Sequence, residues 1–308
     1  MTEMKQKIPI LAVATLAMAF ASCSNDDNNG MEAAKYITVN TSIGTLSRTA
    51  TADDGTQTFA DGDQISVYAW TGSANTVAAD GLVVNNAVNT LSISGETKTW
   101  TANPQMLWKD MTTAHYFLGV YPQKAITDFT ADAYALDATK SMEENDLLVA
   151  VNTGNSGAGF TATNTAIPLQ FDHVMAKLIV NLSFRNQWGE TPTVTSVTAT
   201  NAKTKATVNY LTKTVTPTAD AATATALSAT TANTVYQSIM VPQSGENITI
   251  TIKIGDKDYT YTGTVKLDSG KYTTVNLNVG RDAITLADIS INDWGTGTTI
   301  NGGEAQEQ

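Results

Sequence analysis

Histidine and cysteine are nearly missing from this chain of 308 residues, which holds 2 His and 1 Cys. An intrachain disulfide framework is therefore excluded, and a Cys/His zinc cluster cannot be assembled. Nucleophilic catalysis of the Ser-His-Asp or Cys-His kind would have to run through His115 or His173. Positive charge is scarce as well: 18 Lys and Arg stand against 29 Asp and Glu, a net charge of -11. Nucleic acids and anionic lipids are held by clustered cations, so neither is an expected partner. Only 15% of the residues are charged, against roughly 25% in ordinary soluble domains. Helix surfaces draw on Glu, Lys and Arg, so this shortage argues against a helical protein. Paired catalytic groups are not recognisable, and no enzyme activity, cofactor or metal is expected.

The exception to the general lack of long apolar runs lies at the start. Ile8 to Phe20, behind Lys5 and Lys7, is too short to cross a bilayer comfortably and fits the hydrophobic region of a signal peptide over residues 1–22. It ends in Phe20-Ala21-Ser22-Cys23, which resembles a bacterial lipobox. That resemblance implies that the Cys23 thiol takes a diacylglyceryl group and becomes the N-terminus after cleavage. Two or three acyl chains anchor firmly, where one does not. Ser24 to Gly30 is polar and acidic and resembles the export signal that sends lipoproteins of Bacteroidetes to the cell surface. Residues 23–35 serve equally as a solvated tether.

The remainder reads as strands and turns. Apolar residues alternate at period two in Ile37, Val39, Thr41 and Ile43; in Ile65, Val67 and Ala69; and in Leu178, Val180, Leu182 and Phe184. The pattern returns in Ile248, Ile250, Ile252 and Ile254 and in Val275, Leu277 and Val279. Each run buries one face of an antiparallel sheet. Turn clusters at Asp53-Asp54-Gly55, Asp61-Gly62-Asp63, Gly154 to Gly157 and Asp268-Ser269-Gly270 are spaced as a sandwich requires. Gly255-Asp256 is a two-residue hairpin turn. A short helical turn is admitted only at His173 to Ala176. The polar stretch Arg185 to Pro192 marks a boundary, giving domains over 36–186 and 187–308. Thr216 to Asn233, rich in Ala and Thr, reads as a surface loop or weak edge strand.

Several clusters invite a chemical reading and do not sustain it. The acidic loops at Asp53 and Asp61 lack the spaced ligands and terminal Glu of a calcium loop, and turn chemistry explains them. The glycines from 154 to 159 precede no Lys of a phosphate loop. His173 adjoins an apolar stretch and reads as a hydrogen-bonded core or edge residue. Trp70, Trp100, Trp108, Trp188 and Trp294 could form a sugar-stacking platform, although isolated Trp in a sandwich more commonly fills the core or caps a sheet end.

A resemblance runs along nearly the whole mature chain. It is carried by Phe59 to Ala69, Tyr116 to Pro122, Asn145 to Ala150 and Leu169 to Leu178, and near the end by Val279-Gly280-Arg281-Asp282 and Ile289 to Trp294. In this order, behind a lipobox, these segments resemble the fimbrillins of Bacteroidetes, the lipoprotein pilins of type V pili. The resemblance implies an all-β fold of two transthyretin-like β-sandwich domains in tandem. It also implies an outer-membrane surface lipoprotein that an Arg- or Lys-specific protease cuts after the first strand, releasing lipid and strand together. The groove so opened would accept the C-terminal strand of a neighbouring subunit. In this chain the first strand would be Ile37, Val39, Thr41 and Ile43, and the cut would fall after Arg48, one of 3 Arg in the sequence. The donor would come from Ile284, Leu286, Ile289, Ile291 and Ile300, with a phase shift near Asp288 that calls for a bulge or a break. The same segment reads equally as the last strand of its own domain. Expected partners are other fimbrial subunits, the protease, the outer membrane through the lipid, and a host or bacterial surface receptor. Within the resemblance the chain is a stalk subunit, an anchor or a tip; outside it, the alternative is a surface glycan-binding sandwich lipoprotein.

Overall fold

The computed structural model describes residues 35–44, 58–218, 224–293 and 296–301, the last segment and residue 293 by backbone alone. Among these residues almost everything is strand. In the first half run β1 (Val39–Ile43), β2 (Gln64–Thr71), β3 (Leu82–Ser94), β4 (Thr97–Asn103), β5 (His115–Tyr121), β6 (Asp132–Ala135), β7 (Leu148–Asn152) and β8 (Ile167–His173). In the second run β9 (Ala176–Phe184), β10 (Val194–Thr200), β11 (Lys205–Asn209), β12 (Thr214–Pro217), β13 (Thr225–Thr231), β14 (Val235–Met240), β15 (Asn247–Ile254), β16 (Lys257–Thr264), β17 (Lys271–Val279), β18 (Ile284–Asp293) and β19 (Thr296–Asn301). The α-helix described is Met142–Asn145, 4 residues closed by a capping box between Ser141 and Glu144.

A sheet of seven strands has the order β1-β8-β7-β5-β2-β3-β4, and one of nine the order β16-β15-β10-β13-β14-β9-β17-β18-β19. Each lies against its own apolar cluster, as two tandem β domains require. In the nine-stranded sheet the alternation places Ile248, Ile250, Ile252 and Ile254 of β15 inward, beside Leu178 and Val180 of β9 and Val275 and Leu277 of β17. Gly255 and Asp256 join Ile254 to Lys257 as expected, Gly255 taking the positive φ of 59° that a tight hairpin needs at its first central residue. The central strands of the first sheet are buried on both faces. Ile65, Val67 and Ala69 of β2 enter one cluster, and Tyr68 and Trp70 enter another.

That other cluster joins the halves. A third, antiparallel sheet, β12-β11-β6, pairs Asp132–Ala135 of the first half with Lys205–Val208 of the second. Beneath it Tyr68, Trp70 and Leu118 meet Val174, Met175, Val208 and Tyr210. The Tyr210 hydroxyl donates to Asp132 Oδ2 at 2.8 Å, and burial together with this carboxylate holds the phenol above its usual pKa.

Three expectations need correction. Strand β9 pairs with β14 and β17, so the chain changes sheet at Val174 and Met175 and not after residue 186. The polar stretch 185–192 is the β9–β10 connection inside the second sheet, while the true crossover is apolar and buried, and so carries no linker composition. That crossover is a bend with no helical turn. Residues 225–231 form β13, which lies between β10 and β14 and not at an edge. Of its side chains only Leu227 is buried, which leaves an outward face as polar as a loop.

Candidate functional site

Strand β1 is the outermost of the seven and runs parallel to β8, with Val39 beside Ile167 and Ile43 beside Phe171. Ile167 N–H donates to the Thr38 carbonyl at 2.8 Å, and Gly44 N–H to that of Phe171 at 2.8 Å. Just upstream the opposite edge is held too. Ile37 N–H donates to the Met106 carbonyl at 3.0 Å and Trp108 N–H to that of Lys35 at 3.3 Å, which brackets a bridge between Tyr36 and Leu107. From β4, at the far edge of the sheet, Trp100 Nε1 donates to Thr41 Oγ1 at 2.9 Å. The seven-stranded sheet therefore curls round until its two edges meet, and residues 35–43 are the stave that closes it.

The alternation expected of the first strand is present. Ile37 and Val39 are 1% and 6% exposed, Thr41 and Ile43 are half-buried, and Thr38, Asn40 and Ser42 between them are exposed, as is Tyr36 at its bridge. Below lie Phe59, Met106, Leu169 and Phe171. Phe59 sits edge-on to Trp100, Tyr121 and Phe171, each at 5.3 Å between ring centres. Without β1 this floor would meet water, at a cost of roughly 1.5–3 kcal/mol for each large apolar side chain uncovered. Sequence reasoning missed the second wall, Met106 to Trp108, because three residues of irregular chain carry no periodicity. Its signal was the apolar triplet Met106-Leu107-Trp108 itself, too short to assign.

Behind the second wall His115 is fully buried. Its Nε2 accepts from Lys109 N–H at 3.1 Å and its Nδ1 lies 2.9 Å from the Thr113 carbonyl, a pairing that requires the neutral ring with its proton on Nδ1. Burial holds its pKa below the ordinary histidine value. The unfolded chain then binds the extra proton first, so stability is intact above about pH 6.5 and declines as the pH falls further. Urea midpoints measured from pH 7 to about pH 5 should fall on the acid side, and His115→Gln should flatten that fall.

The donor candidates lie together in the second sheet. Ile284, Leu286, Ile289 and Ile291 belong to β18, paired with β17 from Val279↔Ile284 to Lys271↔Asp293. The pairing slips between Asn276 and Leu277, which face Asp288 and Leu286, so Ala287 is the extra residue of the bulge foreseen near Asp288. Through it Ile284 and Leu286 share a face with Ile289, all packed on the cluster of the second sheet. The opposite side, Asp288, Ser290 and Asn292, is polar and yet buried. Ile300 stands in β19 opposite Ile289. Cys23, Arg48 and Trp294 fall outside the described residues.

The other marked residues do not converge. Asp61 Oδ1 accepts from Ile93 N–H at 2.7 Å and Asp63 Oδ2 from Ala60 N–H at 2.7 Å, so both shape turns. His173 pairs through Nδ1 with Asp146 Oδ2 at 2.8 Å, deep in the protein. Trp70, Trp108 and Trp188 belong to three different clusters, and Trp188 Nε1 is tied to the Val279 carbonyl at 3.0 Å. The described tryptophans thus fill cores and cap a sheet end.

Fold and site together define an all-β protein of tandem sandwiches, in which the edge strand β1 covers an apolar floor and the marked residues gather into no cluster of reactive groups. Residues 47–294 match the model of the fimbrillin-like family, and the chain belongs to that family. Fimbrillin-like proteins are fimbrial components of the cell surface and not an enzyme family. In fold the chain is similar to a candidate cell-adhesion protein of Bacteroides uniformis, at 17% identity and a TM-score of 0.63, covering 78% of this chain and 95% of that one. A second such protein, from Bacteroides ovatus, matches at 17% identity and 0.63 over 85% and 98%. A fimbrial protein of Bacteroides vulgatus matches at 13% and 0.51 over 84% and 99%. No curated protein matches.

Proposed function

We propose that the chain is a lipid-anchored fimbrial subunit of the outer membrane surface, assembled by exchange of its first strand for a strand of a neighbouring subunit, and that the resulting fimbrium serves adhesion to a host or bacterial receptor. The observation that carries this reading is the closing stave 35–43, which buries Ile37 and Val39 yet belongs to the edge of its sheet. An edge strand can leave without dismantling the pairs behind it, and its departure opens two free backbone edges, one on β8 and one on Met106 to Trp108.

The remaining parts follow the same logic. Residues 1–22 are a signal peptide, Cys23 carries the lipid, and residues 23–35 are the tether. Arg48 lies four residues beyond Gly44, where an Arg-specific protease would cut and free everything before it. The two domains divide at Val174 and Met175. Of the donor segments, β19 with Ile300 fits better than β18, because β18 contributes Ile284, Leu286 and Ile289 to its own core whereas β19 is an edge bonded on one side only. An anchor would keep its lipid and first strand, and a tip would lack a usable donor.

Treating the chain that starts at Cys23 with an Arg-specific protease tests the proposal by mass and by size. A cut after Arg48 followed by SDS-resistant ladders is the expected result. A clean cut that leaves a stable monomer refutes strand exchange for this chain.

A further inference from the structure

The floor of the groove is not wholly apolar. Asn89, 1% exposed, donates through Nδ2 to the Ala87 carbonyl at 3.0 Å and lies 3.8 Å from Met106 Sδ. Its Oδ1 has no hydrogen-bond partner among the described residues. Trp108, 8% exposed, is in the same position: its Nε1 is buried and without a partner there. One atom asks for a donor and the other for an acceptor, and they flank Met106, whose carbonyl holds Ile37 N–H. The residue that β1 places opposite Met106 is an isoleucine, which can serve neither. Four residues on, the same strand does the opposite. Thr41 presents a hydroxyl to Trp100 Nε1 at 2.9 Å and satisfies it. Buried polar groups are normally paired, so a matched position and an unmatched one on the same floor mark β1 as an imperfect occupant.

Resting on the strand-exchange reading above, we propose that this groove selects its incoming strand by two polar positions: a hydroxyl where Thr41 stands, and a carboxamide or hydroxyl where Ile37 stands. The occupant is an extended strand of a second polypeptide with Asn, Gln, Ser or Thr at the first place, an apolar residue two further on, Ser or Thr after two more, and an apolar residue two beyond that. Such a strand keeps the apolar grip of Val39 and Ile43 and supplies the partners that Asn89 and Trp108 lack. It therefore displaces β1 with a net gain in hydrogen bonds, which gives exchange a direction. This chain's own Thr298-Thr299-Ile300 reproduces Thr41-Ser42-Ile43, and laid in the same sense it brings Trp294 to the Ile37 place. A second copy thus meets one of the two requirements fully, and a strand with Gln or Asn at that place meets both.

Peptides of sequence 35–44 test this against the intact chain, a few degrees below its thermal midpoint, with uptake read by mass under native conditions. The peptide carrying Ile37→Gln should be taken up about tenfold more than the parent, and one carrying Thr41→Val about tenfold less. Equal uptake of all three overturns the selection and leaves strand exchange standing. Uptake of none overturns strand exchange and the selection with it. A cycle within the whole chain reports on the floor alone: Ile37→Gln should raise the thermal midpoint with Asn89 present and lower it in the Asn89→Leu background. Equal shifts in the two backgrounds overturn the role assigned to Asn89.

Discussion

Ile250→Asp is expected to yield a chain whose second sheet does not fold. Ile250 lies on β15, is 0% exposed, and packs in the cluster formed by β9, β10, β14, β15 and β17. A carboxylate there would face only apolar neighbours, and even after it takes up a proton a buried unpaired carboxyl costs several kcal/mol. That is much of the 5–15 kcal/mol that a domain has in reserve. Thr251→Asp, one residue along, points to the other face and is half-exposed, so it should fold with a midpoint within a few degrees of the parent. Circular dichroism melts of the two variants decide the matter. If both behave alike, the alternation assigned to β15 is wrong.

Gly119→Ala should be the costliest single-methyl addition in the first sheet. A Cβ at Gly119 in β5 would stand 2.6 Å from Phe171 Cζ and 3.2 Å from Leu169 Cδ1. Neither can retreat easily, since Phe171 is 0% exposed and pinned by Phe59. Overpacking of this kind typically costs about 1–3 kcal/mol. The loss should be repaired by Phe171→Leu, which removes the obstructing ring edge, so that the double variant is more stable than the sum of the single changes predicts. Urea titrations of the four proteins test this, and additive losses would show that the ring is not the obstacle.

Legibility in the sequence followed burial. The strands that bury one face of a sheet, such as those built on Ile248 to Ile254 and Val275 to Val279, announce themselves by period two, because each inward place must be apolar and each outward place need not be. The bulge at Ala287 was readable as a slip of that period, and the Gly255 hairpin as a demand for positive φ. What the period cannot report is which sheet a strand joins. Leu178 to Phe184 alternates equally well in either half, and only its partners, β14 and β17, settle its place. Strand β13 escaped because its neighbours β10 and β14 fix it by backbone bonds while its side chains stay outside. In the groove, β1 was legible and its second wall was not. Met106 and Trp108 are held there by bonds to residues some seventy positions earlier, a separation that no local pattern spans.

A crossover of two residues between sheets would by itself be a hinge, free to absorb bending. Here β6 hydrogen-bonds to β11 across the two halves, and Tyr68, Trp70, Met175 and Tyr210 form a continuous apolar layer behind that seam. Flexing at Val174 and Met175 would have to shear those bonds and open that layer together. In mechanical terms the two halves behave as one stiff body, in which any bending load falls on the whole seam and not on the crossover alone.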